Sequence, residues 1–143
     1  MLALVEKTRL RVSKNTEAKK KSQLGQFLTP AKTAQYMAGL FYPSENNICH
    51  LLDPGAGIGS LSSAFLERCI SGDLSFRKVN VNAFELDETL HQELESTFAS
   101  YAERHTLSYE IVGGDFIEDA INEIQFGRHG NFTHAIQIGR AHV

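Results

Sequence analysis

The sequence contains no tryptophan, two cysteines and three prolines, and no apolar run long enough to span a membrane. Cys49 and Cys69 have neither the spacing of a metal site nor that of a disulfide framework, which favours a reducing, cytoplasmic setting. The N-terminus lacks the apolar core of a signal peptide. The six histidines are scattered without acid or cysteine partners at ligand spacing, so no metal site is expected.

The composition that remains is that of one globular domain with a buried core, since 42% of the 143 residues are hydrophobic and 22% are charged. Charge is unevenly placed: residues 1–24 hold seven basic and two acidic residues, although the whole chain carries −3. We expect residues 1–23 to form a basic N-terminal arm or a helix of low stability, which either reaches for phosphates or is simply solvated.

The most informative stretch runs from Ile48 to Ser60, where a short apolar run ends in Asp53 and glycines follow at positions 55, 57 and 59. Apolar residues then recur at helical spacing, so the pattern predicts a strand, a tight glycine turn and a helix. Because glycine has no Cβ, a ligand can lie against the bare backbone of such a turn. The third glycine comes one residue earlier than in the dinucleotide-binding pattern G-x-G-x-x-G. The carboxylate of Asp53 would repel a pyrophosphate but suits a cationic ligand.

A helix is predicted before this stretch, with Thr29 as its N-cap, Pro30 at its first position and Pro43 ending it. After the glycine turn, a second strand ends at Glu85, and Asp87 is expected to cap the next helix. A third strand, a short helix and the start of a fourth strand follow, at residues 107–113, 117–124 and 132–136. This alternation predicts an α/β fold with a doubly wound parallel sheet and a ligand at the carboxyl ends of its strands.

Four segments carry a family resemblance. Residues 53–59 resemble motif I of class I S-adenosylmethionine (SAM)-dependent methyltransferases, Phe-Glu-Leu-Asp at 84–87 resembles motif II, and Asp115-Phe116 resembles motif III. The string Gly-Gln-Phe-Leu-Thr-Pro at 25–30 resembles motif X of adenine-specific DNA methyltransferases. The resemblance covers about residues 24–136 and implies a Rossmann-like methyltransferase fold with SAM as its cofactor.

The resemblance also implies a role for each pocket residue. The segment at residues 25–30 would line the methionine half of SAM. Glu85 would accept hydrogen bonds from the ribose hydroxyls. Asp115 would accept a hydrogen bond from the adenine amino group, and Phe116 would pack on the adenine ring. The implied cofactor-binding residues are Gln26, Phe27, Thr29, Pro30, Asp53, Gly55, Ala56, Gly57, Gly59, Glu85, Leu86, Asp115 and Phe116.

The family's catalytic string, Asn-Pro-Pro-Tyr or a variant, should follow the fourth strand, but the chain reads Gln-Ile-Gly-Arg-Ala-His-Val at 137–143. No catalytic residue is therefore assigned, and the sheet is expected to be truncated at about its fourth strand. The final six residues resemble a translated sequencing-library adapter, so residues 137–143 are interpreted as a non-native tail.

The resemblance leads to one functional hypothesis and two alternatives. The first is the SAM-binding portion of a restriction-modification DNA adenine-N6 methyltransferase, which meets double-stranded DNA through parts mostly outside this chain and is inactive alone. A SAM-dependent RNA or protein methyltransferase fragment is the alternative, because motifs I to III report the cofactor and not the acceptor. A nucleotide-binding or NAD-dependent Rossmann module ranks after both.

Overall fold

The structure, a computed structural model, describes residues 1–15, 28–44, 47–125 and 132–137. Helices and strands alternate after two leading helices, and a 3-10 turn at Glu88–Leu90 precedes the fourth helix. The elements in chain order are α1 (Leu2–Asn15), α2 (Ala31–Gly39), β1 (Ile48–Asp53), α3 (Ser60–Ser71), β2 (Lys78–Phe84), α4 (His91–Ala102), β3 (Leu107–Val112), α5 (Phe116–Gln125) and β4 (His134–Ala135).

The four strands of the described chain form one parallel sheet in the order β3-β2-β1-β4. From β1 to β3 the chain adds each new strand on the same side, and it then returns to place β4 on the other side of β1. Such a reversal of strand order is the defining feature of a doubly wound sheet. The Rossmann-like, doubly wound arrangement expected from the sequence is confirmed, with its switch point between β1 and β4.

The core lies between the sheet and helices α3 and α4. Buried apolar residues alternate along β1 and β2, and both helices turn an apolar face to them, as their 3.6-residue periodicity predicts. The apolar faces expected from helical spacing are buried in α3 at Leu61, Ala64, Phe65, Leu66 and Cys69, and in the 3-10 turn and α4 at Leu90, Leu94, Phe98 and Tyr101. Thr97, which was expected on the same face of α4, is half-buried.

Helix α1 is part of this packed body. Leu2 and Val5, one helical turn apart, are buried, and Arg11 forms an ion pair of 2.6 Å with Glu93 of α4. Of the two alternatives for the basic N-terminal segment, residues 1–15 adopt the helix, and residues 16–23 lie outside the described ranges. Arg9 and Arg11 are both paired with acids of this chain, so they are not free to bind phosphate in this structure.

Helix α2 begins one residue later than its sequence predicts. Its N-cap is Pro30, whose carbonyl accepts the first helical hydrogen bond from Ala34 at 3.0 Å, so Ala31 occupies the first helical position. The prediction of Thr29 as N-cap is therefore wrong. The physical reason is that the exposed N–H of Ala31 finds an acceptor outside its own segment, the Glu6 carboxylate of α1 at 3.1 Å.

No helix within the described ranges combines the length and the apolar character needed to cross a membrane.

Candidate functional site

A cavity of about 440 Å³ opens at the carboxyl ends of the strands. Each of the four strands contributes residues that directly follow it or end it, which is the expected consequence of a parallel sheet: all its carboxyl ends meet at one edge. The lining consists of Pro54 and Gly55 after β1, Phe84, Glu85 and Leu86 at the end of β2, Gly114, Asp115, Phe116 and Ile117 after β3, and Gln137 after β4.

Five residues predicted from the sequence meet in this cavity, although they come from three separate segments. They are Gly55, Glu85, Leu86, Asp115 and Phe116. Ala56, Gly57 and Gly59 form the rest of the glycine loop and do not line the cavity, and neither do Thr29 and Pro30. Gln26 and Phe27 lie outside the described residues.

The glycine loop, residues 54–59, makes the turn from β1 into α3 with two left-handed residues. Gly57 has φ 58° and Gly59, the N-cap of α3, has φ 90°. A Cβ on Gly57 would lie 2.8 Å from Cδ2 of Leu28, and left-handed backbone is costly for any residue with a side chain. Glycine is therefore required at position 57 by the backbone and by the neighbour that rests on it.

Three amides of this loop are already used within the protein. The N–H of Ala56 donates to the carbonyl of Phe84 at 2.9 Å, that of Gly57 donates to Oε1 of Glu85 at 2.9 Å, and that of Gly59 donates to the carbonyl of Ala56 at 2.8 Å. A dinucleotide-binding turn needs such amides to hold a pyrophosphate. These bonds, together with the adjacent acids, make the loop a poor cradle for an anion.

Glu85 joins the end of β2 to the glycine loop and is buried. Besides the Gly57 contact, its Oε2 accepts the N–H of Asp87 at 2.8 Å, and its backbone carbonyl accepts a hydrogen bond from Nε2 of His91 at 2.8 Å. Each carboxylate oxygen has two lone pairs, so both oxygens keep one acceptor site. Asp87, which was expected to cap the next helix, instead caps the short 3-10 turn by accepting the N–H of Thr89, and the N-cap of α4 is Leu90.

Asp115 and Phe116 line the part of the cavity that follows β3. Oδ1 of the exposed Asp115 accepts the N–H of Ile117 at 3.0 Å and so caps α5, while Oδ2 remains as a further acceptor. Phe116 packs edge-on against Phe84, with ring centroids 5.2 Å apart. The wall therefore combines a negatively charged acceptor with an aromatic surface, which is a suitable surface for a flat heterocycle that carries an N–H donor.

Asp53 lies beneath the glycine loop and is completely buried. Its Oδ2 accepts a 2.6 Å hydrogen bond from the Ser62 hydroxyl of α3, whereas Oδ1 has no hydrogen-bond partner among the described residues. Burial raises the pKa of this carboxyl to about 7, and the Ser62 hydroxyl, with a nearby Gly55 amide, opposes the rise. Asp53 is not among the residues that line the cavity, and its role as a cofactor-binding residue stays a prediction.

Pro54, Phe84, Gly114, Ile117 and Gln137 also line the cavity but were not among the implied cofactor-binding residues. Pro54 and Phe84 lie inside the motifs quoted from the sequence, and Gly114 and Ile117 directly flank Asp115-Phe116. Gln137 is different, because it was assigned to the tail; its side-chain nitrogen is 3.8 Å from the position of a Cβ on Gly55. Within the described residues, no group of three or more His, Cys, Asp or Glu side chains could hold a metal ion.

Comparison of the sequence with known proteins identifies similar methyltransferases. Over 118 residues, 82% of this chain, the sequence is 42% identical to the Type II methyltransferase M.BsuBI of Bacillus subtilis. The chain is similar in sequence to one segment of this Type II methyltransferase. A second such enzyme, M.PstI of Providencia stuartii, is 26% identical over 129 residues, and the chain spans 23% and 24% of the lengths of the two methyltransferases. The expected family resemblance is confirmed.

No family model matches the chain. The solved structure of P. horikoshii TYW2 in complex with MeSAdo matches 60% of this chain and 29% of its own length, with 24% sequence identity and a TM-score of 0.38.

Proposed function

We propose that this chain forms the SAM-binding part of a Type II DNA methyltransferase that acts on adenine N6. The observation that supports it most is the meeting of Gly55, Glu85, Asp115 and Phe116 in one cavity at the carboxyl ends of the strands. The homology to Type II methyltransferases names the reaction class. The choice of DNA adenine as acceptor rests on the motif X resemblance at residues 25–30.

The cavity residues fit the adenosyl half of SAM by the chemistry of their free acceptors. Glu85 keeps one lone pair on each carboxylate oxygen, which suits two vicinal ribose hydroxyls. Asp115 keeps Oδ2 as an acceptor for an exocyclic amino group, and Phe116 offers its ring to the adenine. The carboxylates also favour a ligand with positive charge over one with a pyrophosphate. When bound, SAM supplies a methyl group already activated by its sulfonium.

This chain's own contribution to the reaction is therefore binding and orientation. Residues of the glycine loop and of the Glu85 and Asp115 walls would fix the adenosyl group, so that the methyl is presented in one direction. The residues that orient the target amino group are not assigned in this chain. We propose the activity, the DNA substrate and the recognition of a specific sequence for the whole protein. This chain corresponds to about one quarter of the length of each of the two methyltransferases.

A binding measurement on this chain tests the cofactor. Isothermal titration with S-adenosylhomocysteine and with NAD should give saturable binding of the first and none of the second. Asp115→Asn keeps an oxygen for the Ile117 amide but turns its NH₂ toward the adenine amino group. We expect it to weaken binding about 10-fold, the effect of losing a hydrogen bond to a charged group.

Asp119→Asn is the matched control, because it removes the same charge one helical turn later on α5, away from the cavity. Binding of NAD instead, or equal effects of the two substitutions, would contradict the proposed site. The acceptor is tested with the complete protein encoded by the parent gene, by transferring a labelled methyl group to DNA and analysing the nucleosides. N6-methyladenine is expected; labelled RNA, labelled protein or methylcytosine would refute the adenine assignment.

A further inference from the structure

Helix α1 contributes Val5 and Val12 to the apolar cluster that contains Ile58 of the glycine loop. Val5, buried in α1, packs with Ile58 at the tip of the loop and with Leu90 of the 3-10 turn, and Leu28 joins this cluster from the segment before α2. Ile58 is 1% exposed, so its side chain is held by these neighbours and not by solvent. The loop conformation thus depends in part on Val5, which lies more than 50 positions before Ile58 in the sequence.

The same turn of α1 also holds the start of α2. Oε2 of Glu6 accepts the N–H of Ala31 at 3.1 Å, which supplies the cap that Pro30 cannot give from its own side chain. Arg9 fixes the carboxylate with two hydrogen bonds, from Nε to Oε2 at 2.9 Å and from its terminal nitrogen to Oε1 at 2.7 Å. Glu6 is thereby a rigid acceptor, oriented at Ala31 by a fork of two donors.

Leu28 connects these two contacts. Its Cδ2 atom is 2.8 Å from where a Cβ on Gly57 would stand, so the residue before Thr29 and Pro30 rests directly on the backbone of the glycine loop. Pro30 has no N–H to donate, and the first α2 amide that needs an acceptor is that of Ala31. The position of Leu28 on the loop is therefore linked to the Glu6–Ala31 hydrogen bond three residues later.

We propose that Glu6 is a positioning residue for the cofactor site. Through its hydrogen bond to Ala31 it holds the segment 28–30 against the glycine loop, so that α1 stabilises the conformation of the binding site. This inference rests on the proposed function, because the affected ligand is the adenosyl cofactor. A ligand whose site is competent in only a fraction of molecules binds with its affinity reduced by that fraction. Loss of the Glu6–Ala31 hydrogen bond lowers the fraction of binding-competent molecules without removing any group that touches the ligand.

The test uses three variants of the full chain. Glu6→Met keeps the length of the side chain and a good helix former but removes the acceptor. Glu6→Gln keeps an amide oxygen for Ala31. Arg11→Met is the matched control, because it breaks the ion pair between α1 and Glu93 but leaves the Glu6–Ala31 contact intact. Binding of S-adenosylhomocysteine is measured by titration, and amide hydrogen exchange of Ala31 and Gly57 is measured without ligand.

Glu6→Met should weaken binding about 3- to 5-fold, as the loss of a helix cap would, and should speed exchange of both amides. Glu6→Gln should restore both readouts to within about 2-fold of the original chain, and Arg11→Met should change neither, apart from fraying of α1 itself. Unchanged amide exchange at Gly57 in Glu6→Met, or an equal loss of binding affinity in Glu6→Met and Arg11→Met, would overturn the proposed role of Glu6. If the exchange responds as expected but the original chain does not bind the ligand, the proposed function fails and the role in the cofactor site falls with it.

Discussion

The buried carboxyl of Asp53 predicts an unusual dependence of stability on pH. Its side chain is completely buried with one oxygen bonded to Ser62, and burial raises its pKa from 3.8 to about 7. An acid whose pKa is higher in the folded state binds more protons there than in the unfolded chain. Its contribution to stability is therefore fully present below about pH 4, and it is lost as the pH rises to about 7.

The size of the effect follows from the shift. A shift of about 3 pKa units at about 1.4 kcal/mol per unit gives at most about 4 kcal/mol, of which about 3 kcal/mol falls between pH 5 and pH 8. Asp53→Asn keeps the shape and cannot ionise, so it removes this term. The free energy of unfolding of the original chain minus that of Asp53→Asn should fall by about 3 kcal/mol from pH 5 to pH 8, a large fraction of a typical domain's 5 to about 15 kcal/mol.

Urea unfolding at pH 5, 6, 7 and 8 measures this difference. Asp73→Asn, at an exposed carboxyl outside the core, controls for the loss of one negative charge. A difference that stays constant from pH 5 to pH 8 would show that burial does not hold Asp53 protonated. A difference that grows with pH would show that Asp53 is stabilised as a carboxylate, and the account of the loop as supported by a neutral acid would then be wrong.

Two further substitutions test the loop. Gly57→Ala should lower the free energy of unfolding by at least about 1 to 2 kcal/mol, because the backbone is left-handed there and the new Cβ would meet Leu28. Gly39→Ala should raise it by about 0.5 kcal/mol, because a Cβ at that position meets nothing within 4 Å. Equal effects of the two substitutions in urea unfolding would refute the proposed strain at Gly57. Thr97→Val leaves the carbonyl of Ile58 without the hydroxyl that lies 3.0 Å from it and should cost about 1 to 3 kcal/mol by the same assay, with an unchanged midpoint as the contradicting result.

The sheet and the cavity were accessible from sequence because each of their signals is local. Glu85 and Asp115 each follow an apolar strand pattern directly, and in a parallel sheet residues that follow strands must share one edge. Once the topology is known, their meeting with Gly55 needs no further information. The same reasoning gave the buried faces of α3 and α4, whose periodicity is written in consecutive residues.

The direction of the Asp53 side chain was not accessible in this way. Its position at the end of β1 is local, but whether it faces a ligand or the protein interior depends on Ser62, which comes from α3 above the sheet edge. The prediction for the start of α2 was wrong for a related reason. Thr29 and Pro30 form a plausible capping pair, yet the acceptor for Ala31 comes from Glu6 on another helix, and pairings between distant helices leave no local pattern.

The conformation of the glycine loop is a tertiary property, although its motif is read from a few residues. Its tip is fixed by contacts from separate parts of the chain: Glu85 at the Gly57 amide, Thr97 at the Ile58 carbonyl, and Val5 and Leu28 at the Ile58 side chain or the Gly57 backbone. Glycine spacing alone permits many turns, because glycine has the most freedom to lose on folding. What selects one turn is the set of neighbours that contact it, and here three loop amides, those of Ala56, Gly57 and Gly59, are bonded within the protein and are not available to a pyrophosphate. The surrounding acceptors, not the glycine count, are therefore the reason to expect a cationic adenosyl ligand at this site.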